Sequence, residues 1–182
     1  MTTKNEVKLS SLKLSLLKLK TKNVSAPNSL SSFKEVKRAA LFMGLHLWQR
    51  NQKDILDFKA YLKGIGIEST LIFLYPTRDP KTVVEGTPAD EIHLILKDFS
   101  GYGYPKSEKA QKAASLPVDM FINLNSTIGY HELALGKLSR AYFKISPYQN
   151  IYKKDYSILL KSDSDNLIQY LNQIKDFFSH LN

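Results

Sequence analysis

The sequence predicts an α/β domain on a mostly parallel sheet. Three observations predict it. Residues 118–148 read as an apolar strand, a helix carrying leucines on one stripe, and a second apolar strand. An apolar run at Val36–Leu47 is followed by a helical pattern and a second apolar run at Ser69–Tyr75. Finally, Val118, Met120, Ile122 and Leu124 occupy one strand face while Phe121 makes the other apolar too. Strands apolar on both faces belong inside parallel sheets covered by helices.

The elements follow in order. Val7–Lys20 has Leu9, Leu12, Leu16 and Leu19 at helical spacing, with Leu14, Leu17, Lys13 and Lys20 widening the stripe. It reads as a basic helix that packs on the core or meets a membrane surface or nucleic acid. Asn23–Ser32 is a turn-rich linker. The first core strand is expected in Val36–Leu47 and the following helix in Gln52–Leu62, with Ile55, Phe58 and Leu62 on one face. Gly64 and Gly66 end that helix as a C-cap. They follow a helix rather than a strand, so they form no dinucleotide fingerprint.

Pro76–Asp90 is too broken for a full crossover helix, which leaves the third strand, Glu91–Leu96, short or antiparallel. A glycine-aromatic loop, Lys97–Pro105, precedes a short helix in Lys106–Ala114. In the central unit, Asn125, Ser126 or Thr127 is expected to N-cap the helix, and Lys137 and Arg140 suit its C-terminal end. A strand at Tyr142–Ile145 stops at Ser146-Pro147. A last strand at Asp155–Leu160 and a C-terminal helix capped from Ser162–Asp165 complete the chain. The fold expected is one Rossmann-like three-layer domain over 35–182, with about five or six strands, preceded by a basic helix and linker over 1–34.

Composition narrows the chemistry. The 182 residues include no cysteine, which excludes disulfides, thiolate metal sites and a cysteine nucleophile. No apolar run approaches the ~18 residues of a membrane span. Lys13 and Lys18 interrupt the leucines that a signal peptide would need, so a cytoplasmic location is expected. The net charge is +9. Residues 1–40 contribute nine basic and two acidic groups, so most of the basicity sits in the N-terminal arm. A polyanionic partner is expected for that arm: an anionic membrane surface, RNA or an acidic protein. Self-association through the leucines of the same helix is a further reading.

Ligands of open α/β sheets bind at the carboxyl ends of the strands. The residues expected there are His46, Arg50, Arg78, Asn125, Ser126 and Thr127. Arg50 and Arg78 would clamp an anion and His46 would be the acid or base. Alternatively, these polar loop residues serve only to solvate the strand ends. His131-Glu132 begins like a zinc-protease helix, but position 135 is Leu, so that chemistry is excluded and His131 is expected at the surface or in a capping role. No Walker loop or Gly-x-Ser-x-Gly elbow occurs, and neither a cofactor nor a metal is expected. Tyr102, Tyr104 and Lys106 suit base or sugar stacking as well as a tucked-in turn.

The succession KDFSGYGYPKS, DMFINLN, LALGKLSRAYFKIS and YSILL before an amphipathic helix resembles a family of small bacterial α/β proteins of unknown function with a basic N-terminal helix. The resemblance spans roughly residues 35 to 182 and implies the fold without an activity. A strand, polar turn and LALGKLSRAYFKIS also resemble, more faintly, the N-terminal Rossmann-like half of heptosyltransferase-type glycosyltransferases, with Ser139-Arg140-Ala141 in place of their small-residue turn. Two functional readings follow: a non-catalytic binding or accessory domain working through its basic arm, or a small enzyme that binds a nucleotide or phosphorylated metabolite at the strand ends.

Overall fold

The computed structural model describes residues 10–21, 33–82, 88–126, 129–150, 153–161 and 166–180. The elements are α1 (Ser11–Lys20), β1 (Arg38–Gly44), α2 (Leu45–Gly64), β2 (Glu68–Tyr75), β3 (Glu91–Ile95), α3 (Glu108–Ala114), β4 (Met120–Asn123), α4 (Tyr130–Leu138), β5 (Phe143–Pro147), β6 (Ile158–Leu160) and α5 (Leu167–Ser179). The six strands lie in the order β3-β2-β1-β4-β5-β6, and every pairing is parallel. This is a Rossmann-like sheet whose strand order reverses between β1 and β4.

Alternation along β1 shows how the layers form. Ala39, Leu41 and Met43 pack beneath α2 and α5, where Ile55, Phe58, Leu62, Leu171, Ile174 and Phe178 meet them. Ala40 and Phe42 face the opposite layer, built from Leu17 of α1, the alanines of α3 and Leu133–Leu135 of α4. Burial on both faces explains the unbroken apolar runs. The three buried alanines of α3 bring it close to its neighbours, and Ser107 caps it by accepting from the Ala110 N–H at 3.2 Å.

Several expected boundaries move. β1 ends at Gly44, so His46, Trp48, Gln49 and Arg50 belong to the first turns of α2 rather than to a strand end. The apolar Leu45 and Leu47 fit either period, and sequence alone could not separate strand from helix there. α2 is kinked at Asn51 (φ −133°, ψ 26°), whose Nδ2 donates to the Leu47 carbonyl at 2.9 Å. Its C-terminal end matches expectation: Gly66 has φ +83°, and the Ile67 N–H returns to the Leu62 carbonyl at 2.8 Å. β3 is short, as anticipated, and parallel.

α4 is capped by Gly129, not by Asn125 or Ser126. The Asn125 side chain is already engaged across the sheet, which leaves it unavailable as a cap. Thr127 and Ile128 lie outside the described residues, as do the Asn23–Ser32 linker and the expected Ser162–Asp165 cap. At α5 the cap is Asn166, which accepts from the Gln169 N–H at 3.0 Å. β6 is shorter than expected because Asp155 pairs with Lys137 at 2.5 Å, while Tyr156 packs in the α4 layer.

Candidate functional site

A cleft of about 560 Å³ opens at the carboxyl ends of the strands, beside the point where strand order reverses. The ends of β1, β2, β4 and β5 contribute Gly44, Leu74, Leu124 and Pro147 to it. The first turns of α2 supply His46, Arg50 and Asn51, and the start of α5 supplies Asn166 and Tyr170. Glu132 enters from the first turn of α4.

A buried polar chain fixes this edge. The Gly44 N–H donates to Asn125 Oδ1 at 2.7 Å, tying the end of β1 to the loop after β4. The Asn125 N–H and Nδ2 both donate to Asn123 Oδ1, at 3.1 and 3.2 Å. Asn123 Nδ2 donates to Ser146 Oγ at 3.1 Å, reaching β5, and the Tyr170 hydroxyl donates to the Asn123 carbonyl at 3.0 Å, reaching α5. Asn123 and Ser146 are fully buried. Buried polar groups are costly unless hydrogen-bonded, and here their bonds hold four elements around one opening. Burial also drives the Tyr170 hydroxyl well above its ordinary pKa, so it stays a donor.

Glu132 is the exception among the buried polar groups that line the cleft. Its residue is half-buried, yet Oε2 is shut off from solvent and has no hydrogen-bond partner among the described residues. Burial pushes the carboxyl up to about 7, against a smaller opposing effect of its own backbone N–H. The local sequence accounts for its place. Glu132 is the third helical residue of α4 and folds back over Gly129, where a Cβ would collide with the carboxylate.

The sequence-expected residues divide. His46, Arg50, Asn125 and Ser126 line the cleft, with His46 and Arg50 exposed at its mouth. Arg78 is exposed after β2 and does not line it. Ser126 is partly buried, its carbonyl accepting from Gln149 Nε2 at 3.1 Å. Sequence reasoning missed Glu132, Asn166 and Tyr170. A glycine three residues before Glu132 was a usable signal for a carboxylate folded over a helix start, whereas nothing local announced that α5 would close the cleft.

The other candidates resolve into packing. His131 sets its ring edge-on to Phe99 at 4.7 Å, and burial lowers its pKa. Tyr102 and Tyr104 pack against the α3–α4 layer, and Ser100 and Tyr104 close their loop with a 2.8 Å backbone bond. Among the described residues, no group of three or more His, Asp or Glu side chains is placed to hold a metal ion.

Comparison with known proteins adds a family. The model of DUF6913, a family of unknown function, matches residues 8–181, and the chain belongs to that family. No curated protein matches the chain significantly. Among solved structures, the chain is similar to a family 9 glycosyl transferase from Veillonella parvula DSM 2008, at 15% identity and a TM-score of 0.43. The match covers 81% of this chain and 43% of that one.

Proposed function

We propose that the chain is a binding domain whose strand-end cleft holds a small phosphorylated metabolite or nucleotide. One observation carries this reading: the unpartnered Glu132 Oε2 at a cleft whose buried polar side chains, Asn125 and Tyr170, are hydrogen-bonded. Buried polar groups without partners are rare in folded proteins and mark places where something else supplies the bond. A ligand hydroxyl or amine would pair with Glu132. Arg50 and His46 at the mouth would meet the anionic end, with Arg50 suited to a two-pronged contact with a phosphate. The volume falls in the range of small-molecule sites, and the position is where α/β sheets of this strand order receive ligands.

The test is calorimetric titration of nucleoside phosphates and sugar phosphates into wild-type protein and into Arg50→Ala and Glu132→Ala. Binding by the wild type that weakens at least tenfold in each folded variant supports the reading. Equal affinity in all three would remove the cleft from consideration. A second reading, acid or base catalysis, is favoured by the Glu132 carboxyl alone, because a group titrating near 7 is matched to proton transfer at neutral pH. It calls for turnover that Glu132→Gln abolishes while binding persists.

A further inference from the structure

α1 has two apolar faces. Leu14 and Leu17 pack inward, and Leu17 is fully buried against the α3–α4 layer. Leu12, Leu16 and Leu19 point the other way, at 69%, 41% and 69% exposure. Their spacing of four and three residues puts them on one ridge. At about 100° per residue, Lys13 and Lys20 fall on one shoulder of that ridge and Lys18 on the other. All three lysines are exposed, and α1 contains no acidic residue. The helix is anchored rather than loose: the Ser10 N–H donates to the Tyr130 hydroxyl at 2.5 Å, and Lys13 Nζ stands 5.5 Å from the Tyr130 ring centre.

We propose that this outward face of α1 docks the protein on an anionic lipid surface. Three exposed leucines would enter the headgroup–acyl boundary while lysines on both shoulders meet lipid phosphates and carboxylates. Charge selects this occupant. In a pair of such helices, lysine shoulders would face lysine shoulders with no acidic residue on either helix to answer them. RNA would satisfy the lysines but leave the leucine ridge in water. No described helix is long and apolar enough to cross a membrane, and ten residues of helix span only about 15 Å, so α1 lies on the surface. The flanking sequence adds Lys4, Lys8 and Lys22 and one acidic residue, Glu6.

The test is co-sedimentation of the full chain with vesicles of phosphatidylcholine mixed with phosphatidylserine, against phosphatidylcholine alone. Expected is binding to the mixed vesicles that falls roughly fivefold for each lysine removed in Lys18→Gln and Lys20→Gln, and more than tenfold in the double variant Leu12→Ser, Leu19→Ser. Both leucines are exposed, so that variant should keep its unfolding midpoint. Equal binding to neutral vesicles, or binding unchanged by the leucine substitutions, would overturn the proposal. So would binding to a short single-stranded RNA without binding to vesicles, or a dimer that the leucine substitutions dissociate in protein that ignores lipid. None of these outcomes depends on whether the cleft is occupied.

Discussion

The Gly44 N–H donates to Asn125 Oδ1 at 2.7 Å, across the point where the strand order reverses. This bond joins β1, where α2 begins, to the loop that leads into α4, so the two walls of the cleft share one anchor. Asn125→Ala strips the acceptor from the part-buried Gly44 N–H and removes one of the two donors to Asn123 Oδ1, the Asn125 backbone N–H remaining. An unsatisfied group of this kind costs about 1–3 kcal/mol. Urea denaturation should show a loss in that range with an unchanged m-value.

Tyr170 reaches the same network from α5. Tyr170→Phe keeps the ring in its buried site and removes only the 3.0 Å bond to the Asn123 carbonyl. The expected loss is about 1 kcal/mol by denaturant titration. Tyr170→Ala would also empty the volume of a fully packed ring, with an expected cost of about 3–5 kcal/mol.

Glu132 predicts a pH dependence of defined sign. Its carboxyl titrates near 4.5 when unfolded and is pushed up to about 7 in the fold. Between those values the folded chain keeps a proton that the unfolded chain has lost, so stability falls as pH rises through the window. The contribution is fully present below about 4.5 and lost above about 7, a change on the order of 3 kcal/mol. Glu132→Gln should match wild type near the lower value and exceed its stability at alkaline pH. Thermal unfolding of both proteins across the window reads this directly, and parallel curves would show that the carboxyl is not held as described.

Gly129 is predicted to be intolerant for a reason specific to its neighbour. Its backbone is extended (φ −128°, ψ 164°), which any residue can adopt, but a Cβ would collide with the Glu132 carboxylate. Gly129→Ala should therefore destabilise the wild type, by about 1–3 kcal/mol as overpacking does. The cost should shrink in a Glu132→Ala background, and a double-mutant cycle measures that coupling.

The layered fold was legible because its signals are local. The two-faced apolar strands β1, β2 and β4 and the strongly one-sided α5 carry their pattern in a few consecutive residues. What failed was local only in appearance. Leu45 and Leu47 extend the apolar run of β1, yet Gly44 turns the chain into a helix, which moves His46 and Arg50 onto α2. Asn125 has the chemistry of a helix cap, but a strand 81 residues away claims its oxygen. His46, Arg50, Asn125 and Ser126 could be nominated because strand ends are predictable from strands. Asn166 and Tyr170 could not, since their place depends on how α5 crosses the sheet. Glu132 entered the sequence reading only beside His131 in an incomplete zinc-protease pattern, because its sealed oxygen is a product of packing.

We propose above that the cleft receives a phosphorylated ligand that pairs with Glu132 and Arg50. Thermal unfolding of wild type, Arg50→Ala and Glu132→Ala with a panel of nucleoside phosphates and sugar phosphates tests it most directly. The account predicts that at least one compound, at about 100 times its dissociation constant, stabilises the wild type by roughly 2.7 kcal/mol, and that both variants lose most of that gain. A compound that stabilises all three proteins equally, or a panel that leaves the wild type unmoved, would contradict it.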